Sequence, residues 1–65
     1  MNEELSPREI EIIFLISEGL DYKEIAEKLF LSHTTIASHK KRILKKANAK
    51  NAAHLVKIAM LNKYI

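Results

Sequence analysis

The residues best able to do chemistry in this chain are its cations, and they are segregated. All eight carboxylates lie between Glu3 and Glu27, and none follows. Residues 1–27 set two cations, Arg8 and Lys23, against eight anions, a net −6; residues 28–65 carry nine cations and no anion, a net +9. A solvated helical face normally mixes signs so that i,i+4 pairs form. A half bearing cations alone is instead a surface that attracts a polyanion, by releasing its counterions and by steering encounter with it.

The other reactive residue types assemble nothing. Ser17, Ser32 and Ser38 have no His and acid at catalytic spacing, and Glu3 and Glu4 read as a solvated end rather than an acid/base dyad. His33, His39 and His54 share no helical face, and with no Cys and no acid close by, a zinc site is not expected. His39 has two readings, a hydrogen-bond donor to phosphate or a partly buried packing residue. Tyr22 and Tyr64 are isolated and offer no stacking platform for single strands. The chain therefore reads as a non-enzyme, with no cofactor and no small-molecule ligand in this domain.

These side chains need a scaffold, and 65 residues provide one domain with a small core. Without Cys the core is plain hydrophobic packing, and the composition suits a reducing cytoplasm, the expected location. The longest apolar run, Ile12 to Ile16, is too short for a bilayer, and the acidic start, Met1 to Leu5, is unlike a signal peptide, so no membrane association is expected.

Four helix starts are written in the chain, and the expected fold is all-α, a four-helix bundle containing a helix-turn-helix. Ser6 as N-cap, Pro7 at the first helical position and Glu9 at N3 predict a helix over 7–18, ended by Gly19 in a left-handed C-cap. Its stripe is Ile10, Ile13, Phe14 and Ser17, widened by Ile12, Leu15 and Ile16. Asp21 and Glu24 form a second capping box and predict a helix over 22–30, with Ile25, Ala26, Leu29 and Phe30 as its apolar face. Ser32 caps a third over 33–46, and Asn51 a fourth over 52–62.

The third helix carries the function. At about 100° per residue, Ile36, Ile43 and Ala47 fall on one side with Leu44 beside them, and Thr34, Ala37, Ser38, Lys41 and Lys45 on the other. Arg42, Lys46 and His39 flank that second stripe. Short side chains at the leading end let a helix into a major groove about 12 Å wide, while Lys and Arg reach the phosphates on either wall. The first turn, His33-Thr34-Thr35, lacks a carboxylate. Acids usually stabilise that end of a helix, so their omission suits an end that faces phosphate. Ala26 allows the second and third helices to cross closely, with Ile36 filling the angle between them.

The motifs Leu5-Ser6-Pro7-Arg8-Glu9, Glu18-Gly19-Leu20, Lys23-Glu24-Ile25-Ala26 and Leu31-Ser32-x-x-Thr35-Ile36-x-x-His39 occur in order, followed by Ile43-Leu44-Lys45-Lys46 and Lys50-Asn51. Together they resemble the LuxR-type, or GerE-like, DNA-binding domain over essentially the whole chain. The resemblance implies a domain that binds DNA as a dimer, with the third helix in the major groove and the fourth at the subunit contact. It implies base contacts from Thr34, Ala37, Ser38 and Lys41, and phosphate contacts from Lys23, Thr35, His39, Lys45 and Asn51, to which the charged flank adds Arg42 and Lys46. The chain departs from the family at Ala37, where a cation or amide is common, and at Ala47 and Ala49, where Leu and Val are usual; looser packing between the last two helices is expected.

On the fourth helix, Leu55, Ala59 and Ile58 suit the core, leaving Ala52, Val56 and Met60 as a strip for a second subunit or for a helix sunk into the bundle. The expected partners are double-stranded DNA, a second copy on DNA, and RNA polymerase. The rivals are a promoter-reading domain like sigma-factor region 4 and a helical protein-interaction module with a basic face. With no phosphoacceptor pocket or ligand cavity expected at this size, the chain reads as one domain of a larger regulator, such as a response regulator.

Overall fold

The computed structural model describes residues 4–65, so Glu3 of the Glu3–Glu4 pair lies outside the described residues. Four helices follow one another: α1 (Pro7–Ser17), α2 (Tyr22–Leu29), α3 (His33–Ala47) and α4 (Ala52–Leu61). No strand occurs among the described residues, and each boundary lies within one residue of the expectation.

Every helix starts on the residue expected to cap it. Ser6 accepts the Glu9 N–H at 3.2 Å while Glu9 Oε1 accepts the Ser6 N–H at 2.7 Å. Asp21 and Glu24 repeat the exchange at 2.9 Å in both directions. At α4, Asn51 Oδ1 accepts the His54 N–H at 2.9 Å, and His54 Nδ1 accepts the Lys50 N–H at 3.0 Å. These bonds satisfy donors that a helix leaves orphaned at its N-terminus.

The ends share one device, a backbone N–H bonded to the carbonyl five residues earlier: Leu20 to Leu15, Leu31 to Ala26, Ala49 to Leu44 and Tyr64 to Ala59. Such a closure needs a left-handed residue just before the donor. Gly19 supplies it for α1 at φ 87°, but Phe30, Asn48 and Lys63 adopt it at φ 58°, 55° and 59°.

The core is built from α1 (Ile12, Ile13, Leu15), α2 (Ile25, Ala26), α3 (Ile36, Ile43) and α4 (Leu55, Ala59). α1 packs on α4 and α2 on α3, with α3 also meeting α4. Small Ala26 and fully buried Ile36 occupy the helix-turn-helix angle as expected. Ala47 and Ala49 are only partly buried against the core.

Two aromatics depart from the expected core. Phe14 is 48% exposed, because α1 turns Ile12 and Ile13 inward and Phe14 follows them around the helix onto its outer flank. Phe30 is 94% exposed, because it is the left-handed C-cap of α2 and not part of its apolar face. Among the described residues, no helix is long and apolar enough to cross a membrane.

Candidate nucleic-acid interface

The interface begins at the cap of α3. Ser32 Oγ accepts the Thr35 N–H at 3.0 Å and lies 2.7 Å from Thr35 Oγ1, so a hydroxyl stands at the position where α1 and α2 carry the Glu9 and Glu24 carboxylates. The first turn of α3 contains no acid and the last turn holds Lys45 and Lys46. With Ile36 and Ile43 buried on one side, the other side presents Thr34, Ser38, Lys41 and Lys45 to solvent, with Ala37 half-buried at its edge. The leading end is therefore narrow and neutral, and positive charge rises along the helix.

Beside this face, Thr34, Thr35, Ser38, His39 and Arg42 line a shallow depression of about 210 Å³. Three hydroxyls, an imidazole and a guanidinium converge there, a set of donors suited to an anionic oxygen. His39 is half-buried and also lines the depression.

Lys23, in the first turn of α2, is exposed on the rim of a larger groove of about 450 Å³. The groove also holds Tyr22, His33 and Lys40. The Tyr22 and His33 rings stand 5.6 Å apart, and the Lys40 ammonium sits 5.1 Å from the Tyr22 ring centre. Nothing in the spacing of these residues announces the cluster, whose members meet only because α2 and α3 cross. Asn51 is exposed at the N-cap of α4.

Two expected groupings are rearranged. Lys46, expected on the charged flank of α3, has its ammonium 2.9 Å from Glu9 Oε1 and its side chain only 20% exposed. The strip Ala52, Val56 and Met60 is divided: Ala52 borders the Tyr22 groove, whereas Val56 and Met60 line a hollow of about 280 Å³ with Phe14, Ser17 and Ile65. Phe14 is the member that sequence periodicity alone assigns to the core.

The Glu9 carboxyl is held below its ordinary titration range. Burial is the largest influence and pushes its carboxyl up. The Ser6 backbone N–H, the hydrogen bond and charge of Lys46, and the Ser6 hydroxyl together outweigh it and hold the pKa below the ordinary value of 4.5. Among the described residues, no group of three or more His, Cys, Asp or Glu is placed to hold a metal ion.

A short capped helix crossed by a longer one, whose outer face is polar, cationic and free of carboxylates, defines the helix-turn-helix class of DNA-binding modules. Known proteins agree. The family model for bacterial regulatory proteins of the luxR family matches residues 3–59. The oxygen regulatory protein NreC of Staphylococcus carnosus is 48% identical over 61 residues, covering 94% of this chain and 28% of that protein. NreC of Staphylococcus epidermidis is 46% identical over the same length. The crystal structure of the response regulator ChrA of a heme-sensing two-component system matches with a TM-score of 0.92 at 32% identity, over 100% of this chain and 32% of that one.

The chain belongs to the luxR family of bacterial regulatory proteins. It is a DNA-binding module of transcription regulation and not an enzyme. It spans less than a third of the length of the relatives named.

Proposed function

We propose that this domain reads a specific duplex DNA sequence by inserting the N-terminal half of α3 into the major groove. Thr34, Ala37, Ser38 and Lys41 approach base edges, with Ala37 offering apolar contact to a thymine methyl in place of a hydrogen bond. Lys23, Thr35, His39, Arg42, Lys45 and Asn51 meet phosphates and fix the register. Two copies bind adjacent half-sites through α4, with Val56 and Met60 at the contact and Ala52 at its margin. The domain acts in the cytoplasm, where such DNA is accessible, and RNA polymerase is the further partner of a regulator of this kind.

One observation carries the reading: α3 buries Ile36 and Ile43 while its outer face bears short polar side chains and then cations, without an acid in its first turn. A protein-interaction module would use the same charge but would not need that neutral, narrow leading end. The test is enrichment of sequences from a random duplex pool, followed by titration against a scrambled duplex over a range of salt. A recurrent half-site and a log K versus log salt slope of roughly −4 to −5, for about five phosphates, are expected. Binding without any sequence enrichment would defeat the reading.

A further inference from the structure

Lys46 belongs by charge to the cationic flank of α3, yet its environment gives it a different task. The ammonium donates to Glu9 Oε1 at 2.9 Å and to the Glu4 carbonyl at 3.3 Å. The same Oε1 accepts the Ser6 N–H at 2.7 Å. One carboxylate oxygen, on a residue only 5% exposed, thus joins the N-cap of α1 to the last turn of α3. Around α3, Lys46 lies about 100° from Lys45 and points off the outer face toward α1.

We propose that Lys46 is a positioning residue for DNA recognition: through Glu9 it sets the roll of α3 against α1, and with it the aim of Thr34, Ser38 and Lys41, and it does not itself contact phosphate. This rests on the reading of α3 as the helix that enters DNA. The apolar side of α3, Ile36 and Ile43, resists separation from the core, but apolar burial has no direction and opposes rolling weakly. A charge-assisted hydrogen bond to a carboxylate already held by a backbone N–H is directional. Side-chain tips stand about 5–6 Å from a helix axis, so a roll of about 10° displaces them by about 1 Å. That is about twice the displacement of about 0.5 Å that a recognition constellation tolerates.

The experiment compares wild type, Lys46→Met, Glu9→Gln and the double variant, titrated with the selected duplex and with a scrambled one across a salt series. Lys46→Met is expected to lower affinity for the selected duplex about tenfold, the order of one lost base contact. Its effect on the scrambled duplex should be smaller and its salt slope unchanged. Glu9→Gln removes a negative charge and should still weaken selective binding, with the double variant no weaker than the worse single one. Lys46→Arg should restore selectivity.

A salt slope shallower by about 0.9 in Lys46→Met identifies a phosphate contact and overturns the proposal. Tighter selective binding by Glu9→Gln, or no change in either variant, overturns it as well. If Lys46→Met does not fold, as judged by circular dichroism, the sign of the Glu9→Gln effect decides. Wild-type domain that shows no preference between the duplexes is a different result, since it removes the recognition reading itself.

Discussion

Thr35 Oγ1 lies 2.7 Å from Ser32 Oγ, and the same Ser32 oxygen receives the Thr35 N–H at 3.0 Å. A hydroxyl thus caps the helix whose start is proposed to approach phosphates. Ser32→Ala removes the cap and should cost about 1 kcal/mol in denaturant unfolding. Ser32→Asp keeps a cap and adds a favourable charge at the helix dipole, so it should melt at or above the wild-type temperature. It should nonetheless bind duplex DNA at least several-fold more weakly. Equal binding by wild type and Ser32→Asp would show that this end of α3 stays away from the DNA backbone.

Phe30 holds a left-handed backbone at φ 58° while 94% of its surface faces solvent. It therefore bears a conformational cost of about 1 kcal/mol with almost no burial in return. Phe30→Gly should raise stability by about 0.5–1 kcal/mol, read from the unfolding midpoint at unchanged denaturant slope. A loss of stability would mean that the ring has a packing partner on the domain.

Glu9 links acid sensitivity to the bundle. Its folded pKa is depressed, so the stability it contributes is present above its unfolded value near 4.5 and is lost as pH falls through the lower folded value. Thermal melts should fall as pH drops below 4.5, and Glu9→Gln should flatten that part of the profile. Near neutral pH, Lys46→Met should destabilise by about 2 kcal/mol, since it takes the ammonium away from a buried carboxylate and leaves it the Ser6 N–H. An unchanged acid profile in Glu9→Gln would assign the effect to other carboxylates.

Lys41 and Lys45 are both exposed on the outer face of α3, four residues apart. Lys41→Ala should cost about 1–3 kcal/mol on the selected duplex and relax preference at one base pair, whereas Lys45→Ala should weaken all sequences alike. Competition between selected and random duplexes separates the two. Equal losses on both duplexes for both variants would put the base-reading surface elsewhere on α3.

Met60 is 61% exposed beside half-buried Val56 and the flank of Phe14. Met60→Glu should leave binding to a single half-site unchanged within about twofold, because one surface substitution rarely moves stability by more than about 0.5 kcal/mol. Cooperative occupation of a two-half-site duplex should disappear. Retained cooperativity, seen in gel shift, would move the subunit contact off this part of α4.

What the sequence alone determined was local or additive. The four N-caps Ser6, Asp21, Ser32 and Asn51 act through bonds spanning three residues, so they were legible, and the helix boundaries followed within one residue. The outer face of α3 was legible for the same reason, since a helix of known period with Ile36 and Ile43 inward must turn Ser38 and Lys41 outward.

Tertiary structure decided whatever depends on which helices become neighbours. Three of the four left-handed ends fall on Phe30, Asn48 and Lys63, where no glycine announces them. Phe14 and Phe30 look like core residues, but the first lies on the outer flank of α1 and the second is the left-handed C-cap of α2. Lys46 looked like one more phosphate-seeking cation, and only the approach of α3 to α1 hands it to Glu9, 37 residues away. Charge and period survive in any fragment of the chain; burial and partnership exist only once distant segments have packed together.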